Sequence, residues 1–308
     1  VERGSIKLDL HRRDFTVNTL AVSLQSHRFG DLLDHWGGLK DLDEKRLRVL
    51  HSLSFVDDPT RVLRAVRLEK RLGFQIDRRI AELMELALPL LARVSGDRIR
   101  HEIEHMFAEA APQVMLARLD EIGVPGALHA ALAGQADAWL AERFASAREG
   151  APQQELPVIY FGLWLYRLTW PDTEAICRRL KVTAATMRVM QQIPHVKARL
   201  PALGESAKPS GVVSVLDGCV PATLSVVALA EADAGVRENI RRYRDEFRRV
   251  KPTIRGADLR ALGVRPGPQF GHVLGRLRAA WLDGEVSSSE EETDLLRELL
   301  KVEAEQST

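Results

Sequence analysis

From Asp57 onward the apolar residues of this chain recur at helical spacing almost everywhere, which rules out a sheet as the bulk of the fold. Val62, Leu63 and Val66 open an amphipathic helix that Gly73 can stop. Ile80, Leu83, Met84 and Ala87 repeat the helical period until Pro89 interrupts it. A helix is expected over residues 98–111, with Ser95, Gly96 and Asp97 as start signals. Residues 112–200 read as several helices with short connections, residues 204–210 as a loop or linker, and residues 237–250 as a strongly charged helix. Residues 256–268 are turn-rich, and a last helical pair and a polar tail follow. Residues 1–50 are mixed: short strand-like runs such as 29–34 alternate with turn signals such as Gly37-Gly38. The expected class is mainly α, with a small β element at the N-terminus and no internal repeat.

Within that pattern, Asp57-Asp58-Pro59-Thr60-Arg61 carries the most chemistry. Asp58 suits an N-cap and Pro59 the first helical position, so Arg61 falls on the same side of the helix three residues after the cap. A carboxylate accepts from an exocyclic amine and a guanidinium donates to a ring nitrogen. Cytosine and adenine both offer an amine beside an acceptor nitrogen, and uracil and guanine offer the reverse order. One Asp/Arg pair therefore accepts C and A and rejects U and G. The plain alternative is an ordinary helix start with surface arginines.

Net charge selects no partner: 44 Lys and Arg face 43 Asp and Glu, leaving +1. Only local clustering can do so, and Arg237, Arg241, Arg242, Arg244, Arg248, Arg249 and Lys251 form such a cluster. Glu231, Glu238, Asp245 and Glu246 lie among them, so a balanced, solvated helix face is the competing reading. The two cysteines, Cys177 and Cys219, have neither zinc-ligand nor disulfide-framework spacing, which fits a reducing compartment. No apolar stretch is long enough to span a bilayer, and no signal peptide is visible, so a cytoplasmic location is expected. His101, Glu102 and His105 spell H-E-x-x-H, the zinc metalloprotease signature. Glu109 and Glu121 follow, but no downstream third-ligand pattern does, and no metal ligands are expected in this chain.

Four segments, in order, resemble the class II tRNA nucleotidyltransferase and bacterial poly(A) polymerase family. Arg12-Arg13-Asp14-Phe15-Thr16-Val17-Asn18 is similar to its RRDFTxNA signature, and the segment from Asp34 through Gly37-Gly38 to Asp41-Leu42 to its DxxGGxxDL. The run from Asp57 to Arg67 resembles EDxxRxxRxxRF, and Ser95 to Glu102 resembles SxERIxxE. The tail, Gly256 to Pro268 followed by Leu282-Asp283-Gly284-Glu285, resembles the GxDLxxLGxxPGP of many bacterial members. Asp57 stands where the family prefers Glu, Thr19 where it has Ala, and Leu68 where it has Phe.

The resemblance implies a remnant of a nucleotidyltransferase head at residues 1–50, a base-recognising helical neck at 51–111, a body at 112–204 and an RNA-binding tail at 205–308. It implies addition of C and/or A to the 3′ end of tRNA or another RNA, with CTP and/or ATP as substrates and Mg²⁺ as cofactor. A poly(A) polymerase and a non-catalytic nucleotide- and RNA-binding module are the alternatives. By resemblance, Arg13 contacts phosphate or sugar, Asp14 accepts from the ribose hydroxyls, and Asn18 helps hold the triphosphate. Asp58 and Arg61 template the base, and Arg64 steadies that site or the phosphates. Asp41 and Arg98 are expected to be structural or hinge-related, and Asp9 to be structural or to assist a metal site. Arg241, Arg242, Arg244, Arg248, Arg249 and Lys251 are the candidate RNA contacts. The family's catalytic carboxylates sit in a GGxVRDxLLG…DxD segment that nothing here matches. With Val1 in place of a Met, this leads to the expectation of a partial chain with no catalytic residue of its own and little activity alone.

Overall fold

The structure, a computed structural model, describes residues 5–262, 264 and 267–306. It divides into two compact units, Val1–Met190 and Gln191–Thr308. Gly263, Arg265 and Pro266 of the turn-rich segment lie outside the described residues.

The first unit opens with α1 (Ile6–His11), whose Ser5 cap accepts from the Leu8 N–H. Phe15 is fully buried and pairs with Val49 in an antiparallel bridge, which fixes the signature segment to the interior. Two short strands follow, β1 (Ala21–Val22) antiparallel to β2 (Leu32–Leu33), with Ala21 opposite Leu33. The strand expected over residues 29–34 shrinks to two residues for a local reason. Gly30 adopts φ +88° and donates to the Ser23 carbonyl, so Phe29 and Gly30 belong to the hairpin loop.

α2 (Gly38–Asp43) starts where the Asp34 carboxylate accepts from the Gly38 and Leu39 N–H groups at 2.8 and 3.0 Å. A Cβ on Gly38 would lie 2.3 Å from the Thr16 carbonyl oxygen, so only glycine lets α2 sit against the signature. Asp41, 2% exposed, accepts from Arg48 Nε at 2.8 Å and from the Thr16 hydroxyl. That buried pairing ties α2 to the signature segment and to Arg48.

α3 (Ser54–Asp57) and α4 (Arg61–Leu72) follow. α4 buries Val62, Leu63, Ala65 and Val66 and ends at Gly73, φ +67°. It begins later than expected. Asp58 is extended (φ −144°) and closes α3, and the next turn is tighter than α: Arg61 N–H donates to the Asp58 carbonyl and Val62 N–H to that of Pro59. Asp58 therefore caps this preliminary turn rather than α4 itself.

α5 (Arg78–Ala87), capped by Asp77, passes into a 3-10 turn, Leu88–Arg93, that holds Pro89. α6 (Gly96–Phe107) starts two residues before and stops four residues before the expected span, because Pro112 begins α7 (Pro112–Ile122). α8 (Val124–Leu128), α9 (Ala138–Gly150), α10 (Leu156–Leu165) and α11 (Trp170–Arg179) complete this unit. Phe107, Phe144, Tyr160, Phe161 and Trp164 form its aromatic core, Phe144 stacking on Tyr160 at 4.3 Å. α12 (Ala184–Lys197) carries the chain into the second unit.

The second unit contains α13 (Pro209–Leu216), α14 (Pro221–Ala230), α15 (Ala234–Asp245), α16 (Gly256–Ala261), α17 (Pro268–Asp283) and α18 (Ser289–Gln306). The charged helix ends at Asp245, five residues short of expectation, and Arg248 and Arg249 occupy a separate 3-10 turn, Phe247–Arg249. Part of the turn-rich segment is helical: in α16 Asp258 reaches back to the Arg255 N–H at 2.7 Å. Leu259, Val273, Leu277 and Leu296 pack into a small core around α16, α17 and α18. α13 and α14 are apolar but bent by 115° and largely buried; among the described residues no single helix is long and apolar enough to cross a membrane.

Candidate functional site

The signature segment and the start of α4 meet around a cavity of about 330 Å³ lined by Arg12, Arg13, Asp14, Asn18, Arg61 and Arg64. Asp14 is mostly buried, and its Oδ1 accepts from the Phe15 N–H at 3.0 Å and from Asn18 Nδ2 at 2.8 Å. Its Oδ2 faces Arg64 Nη1 at 3.4 Å, a contact between residues 50 apart in sequence. Arg13 is exposed and lies 3.6 Å from Asp9. The hydrogen bond from Arg12, with its charge and that of Arg13, holds the exposed Asp9 carboxyl below its usual range. Arg61 donates through Nη1 to the Ser54 hydroxyl at 2.6 Å and through Nη2 to the Arg12 carbonyl at 3.0 Å. Its Nε is buried without a partner.

Five of the six expected nucleotide residues thus line one cavity, and Asp58 does not. Asp58 Oδ1 accepts from the Thr60 hydroxyl at 2.6 Å and the Thr60 N–H at 3.1 Å, and its Oδ2 pairs with Arg98 Nη2 at 2.7 Å. Thr60 and Arg98 line a second cavity of about 310 Å³ with Arg64, Asp97, His101, Glu102 and His105. Asp58 and Arg61 share no hydrogen bond; the extended backbone at Asp58 turns the carboxylate toward α6 while Arg61 turns toward α3. Burial opposes ionisation of Asp58, but the Thr60 hydrogen bonds and the Arg98 charge outweigh it, and the carboxyl titrates below its ordinary range.

Arg64 borders both cavities. Burial disfavours its charge, yet the hydrogen bond and charge of Glu102 and the charges of Asp14 and Asp58 more than compensate, so its pKa rises. Arg98, expected to be structural or hinge-related, sits directly on Asp58. Nothing in the sequence points to Ser54 or to the Arg12 carbonyl, and no residue pattern marks a backbone acceptor 49 positions from its donor.

In the H-E-x-x-H segment the rings of His101 and His105 lie 5.7 Å apart, edge to face. Glu102 turns to Arg64, its Oε1 accepting from Nε at 2.8 Å. Among the described residues no group of three or more His, Cys, Asp or Glu side chains is placed to hold a metal ion. The H-E-x-x-H segment therefore does not assemble the three-ligand set of a zinc site.

The candidate RNA residues separate into two sets. Arg241 pairs with Glu238 and Asp245, Arg242 with Glu246 and with the face of Phe247 at 4.7 Å, and Arg244 with Ser225 and the Pro221 carbonyl. Arg248, Arg249 and Lys251 are exposed and make no side-chain hydrogen bond or ion pair among the described residues.

A head preceding a run of helices, with the RRD segment meeting a helix start rich in arginine, defines the tRNA nucleotidyltransferase and poly(A) polymerase class. Residues 1–48 match the family described as Poly A polymerase head domain, and residues 73–128 the one described as Probable RNA and SrmB-binding site of polymerase A. A CC-adding tRNA nucleotidyltransferase of Deinococcus radiodurans is 30% identical over 96% of this chain and 67% of that protein. An A-adding tRNA nucleotidyltransferase of Geobacter sulfurreducens is 33% identical over 95% of this chain; the chain spans 35% of that relative's length. Among solved structures, the Thermotoga maritima CCA-adding enzyme complexed with tRNA is 29% identical with a TM-score of 0.77, over 97% of this chain and 74% of that one. The chain belongs to the class II tRNA nucleotidyltransferase and poly(A) polymerase family.

Proposed function

We propose that this chain forms the nucleotide-selecting and RNA-gripping part of a tRNA nucleotidyltransferase that adds C and/or A to RNA 3′ ends. The observation that carries this reading is the single cavity assembled from Arg13, Asp14, Asn18, Arg61 and Arg64. A guanidinium-rich rim suits a polyphosphate, and a carboxylate in the wall suits ribose hydroxyls. Arg13 then contacts phosphate or sugar, Asp14 accepts from the ribose, and Asn18, which donates to Asp14, helps hold the triphosphate. Arg61 and Asp58 read the base, with Asp58 exchanging Arg98 for the exocyclic amine of cytosine or adenine. The A-adding and CC-adding names of the relatives agree with ATP and CTP as substrates. On this reading residues 1–50 serve as part of the head, 51–111 as the neck, 112–204 as the body and 205–308 as the tail. Its partner is a tRNA 3′ end, and its working compartment the cytoplasm.

A second reading, a binding module that does no chemistry by itself, is favoured by one observation: the cavity brings together residues suited to holding and selecting a nucleotide. Both readings require nucleotide selection. Calorimetric titration with CTP, ATP, UTP and GTP checks it: CTP or ATP binds at least about tenfold more tightly than UTP and GTP, since a two-point base contact is worth about 1–3 kcal/mol. Arg61→Ala removes the difference. Equal affinity for all four nucleotides, or for none, would overturn both readings.

A further inference from the structure

We propose that Glu102, the middle residue of the H-E-x-x-H segment, is a positioning residue that sets discrimination between ribose and deoxyribose. It does so by keeping Arg64 off Asp14. The inference rests on the reading of Asp14 as the ribose acceptor and adds the device that keeps it available. Four side chains from three parts of the first unit form a line. Glu102 of α6 accepts from Arg64 Nε at 2.8 Å, Arg64 of α4 faces Asp14 Oδ2 through Nη1 at 3.4 Å, and Asp14 Oδ1 accepts from Asn18 at 2.8 Å. The inequality of the two Arg64 contacts is the informative part. A guanidinium beside a mostly buried carboxylate ordinarily closes to a short, two-point pair. Here the close contact goes to Glu102, and Asp14 Oδ2 receives only a contact at the limit of hydrogen bonding.

Glu102 can hold the guanidinium because it is itself held. It is 7% exposed, on the inward face of α6 beside Ile99, Ile103 and Met106. Its second oxygen, Oε2, has no hydrogen-bond partner, so Arg64 is the sole partner this carboxylate has among the described residues. Besides Glu102, the carboxylates whose charges act most on Arg64 among the described residues are Asp14 and Asp58, and Asp58 is already paired with Arg98. Without Glu102, Arg64 closes on Asp14 Oδ2, and the oxygen needed by a ribose 2′-hydroxyl is occupied.

The test is the ratio of CTP to dCTP dissociation constants, measured on the full chain by calorimetry, with melting temperatures recorded alongside. The wild type favours CTP by about tenfold or more, the scale of one hydrogen bond to a charged group. Glu102→Ala brings the ratio to within about threefold of unity. Glu102→Gln restores most of it, because the amide oxygen still accepts from Arg64 Nε. Glu69→Ala, which removes the partner of Arg118 on the same helix α4, lowers the melting temperature and leaves the ratio intact. Should Glu102→Ala not fold, Glu102→Asp, with the carboxylate set back by one methylene, takes its place with the same expected loss. An unchanged ratio in Glu102→Ala or Glu102→Asp overturns the inference while leaving the nucleotide site standing. So does a ratio lost equally in Glu69→Ala, since general loosening then explains it. A wild type that does not prefer CTP removes the ribose reading of Asp14 itself, and the inference with it.

Discussion

Asp58 is held by two neighbours of different kinds, and they can be separated by pH. Thr60 supplies neutral hydrogen bonds that an amide at position 58 would keep; Arg98 supplies a charge that an amide would lose. The folded carboxyl titrates below its ordinary value, so the ionic part of the contribution is fully present above the unfolded carboxyl value near pH 4. It fades as pH falls through the lower, folded value. Arg98 is half exposed, and solvent screening limits the pair to under about 1 kcal/mol. Asp58→Asn is therefore expected to lower the melting temperature by about 1–3 °C between pH 5 and 7. Thermal scans at pH 7, 5, 4 and 3 check this: the gap between variant and wild type closes at the acid end. A gap as wide at pH 3 as at pH 7 would rule out the ion pair as its source.

At the scale of elements, local signals were legible and long-range ones were not. The left-handed Gly73 stop acts within its own turn and is read directly; the Asp34 and Asp77 caps are equally local, though neither is singled out as a cap from the sequence. The Arg98–Asp58 pair spans 40 residues and the Arg61–Arg12 contact spans 49, and no periodicity announces either. Asp-Pro is a good helix opening in isolation, but the chain here spends one tighter turn before committing to α, so α4 starts at Arg61. Only the resemblance brought residues 13–18 and 61–64 into one site. It gave Arg98 and Glu102 no role in nucleotide selection. Both stand on α6, whose placement depends on one small residue. A Cβ on Gly96 would lie 2.0 Å from the Arg179 carbonyl oxygen at the end of α11, while Arg179 itself donates to the Leu91 and Val94 carbonyls. Backbone on both sides leaves no flexible side chain to give way. Gly96→Ala is accordingly expected to cost at least about 1–3 kcal/mol. Chemical denaturation measures that cost, and CTP affinity falls with it as Arg98 and Glu102 shift. A variant as stable as wild type would show that α6 can slide without penalty.

At the scale of the whole molecule, a net charge of +1 gives no long-range attraction to a phosphate backbone, so RNA affinity must come from a local excess of cations. Counting arginines along residues 237–251 overstates that excess. Arg241 and Arg242 are matched by Glu238, Asp245 and Glu246, and a phosphate must displace those carboxylates to reach them. Arg248, Arg249 and Lys251 carry no such debt, because the helix ends at Asp245 and leaves them beyond it. Each cation that meets a phosphate lowers the slope of log affinity against log salt by about 0.7–0.9. Removing Arg248, Arg249 and Lys251 together is expected to flatten that slope by about 2–3 and to weaken binding at low salt by at least about tenfold. Replacing Arg241 and Arg242 together, which also frees three carboxylates to repel RNA, weakens binding while flattening the slope by less than about 1. Fluorescence anisotropy with labelled tRNA across a salt series distinguishes the two variants. If the Arg241 and Arg242 pair carried the steeper loss of slope, the paired arginines would be the ones that turn to the RNA, and the division between matched and unmatched cations would fail.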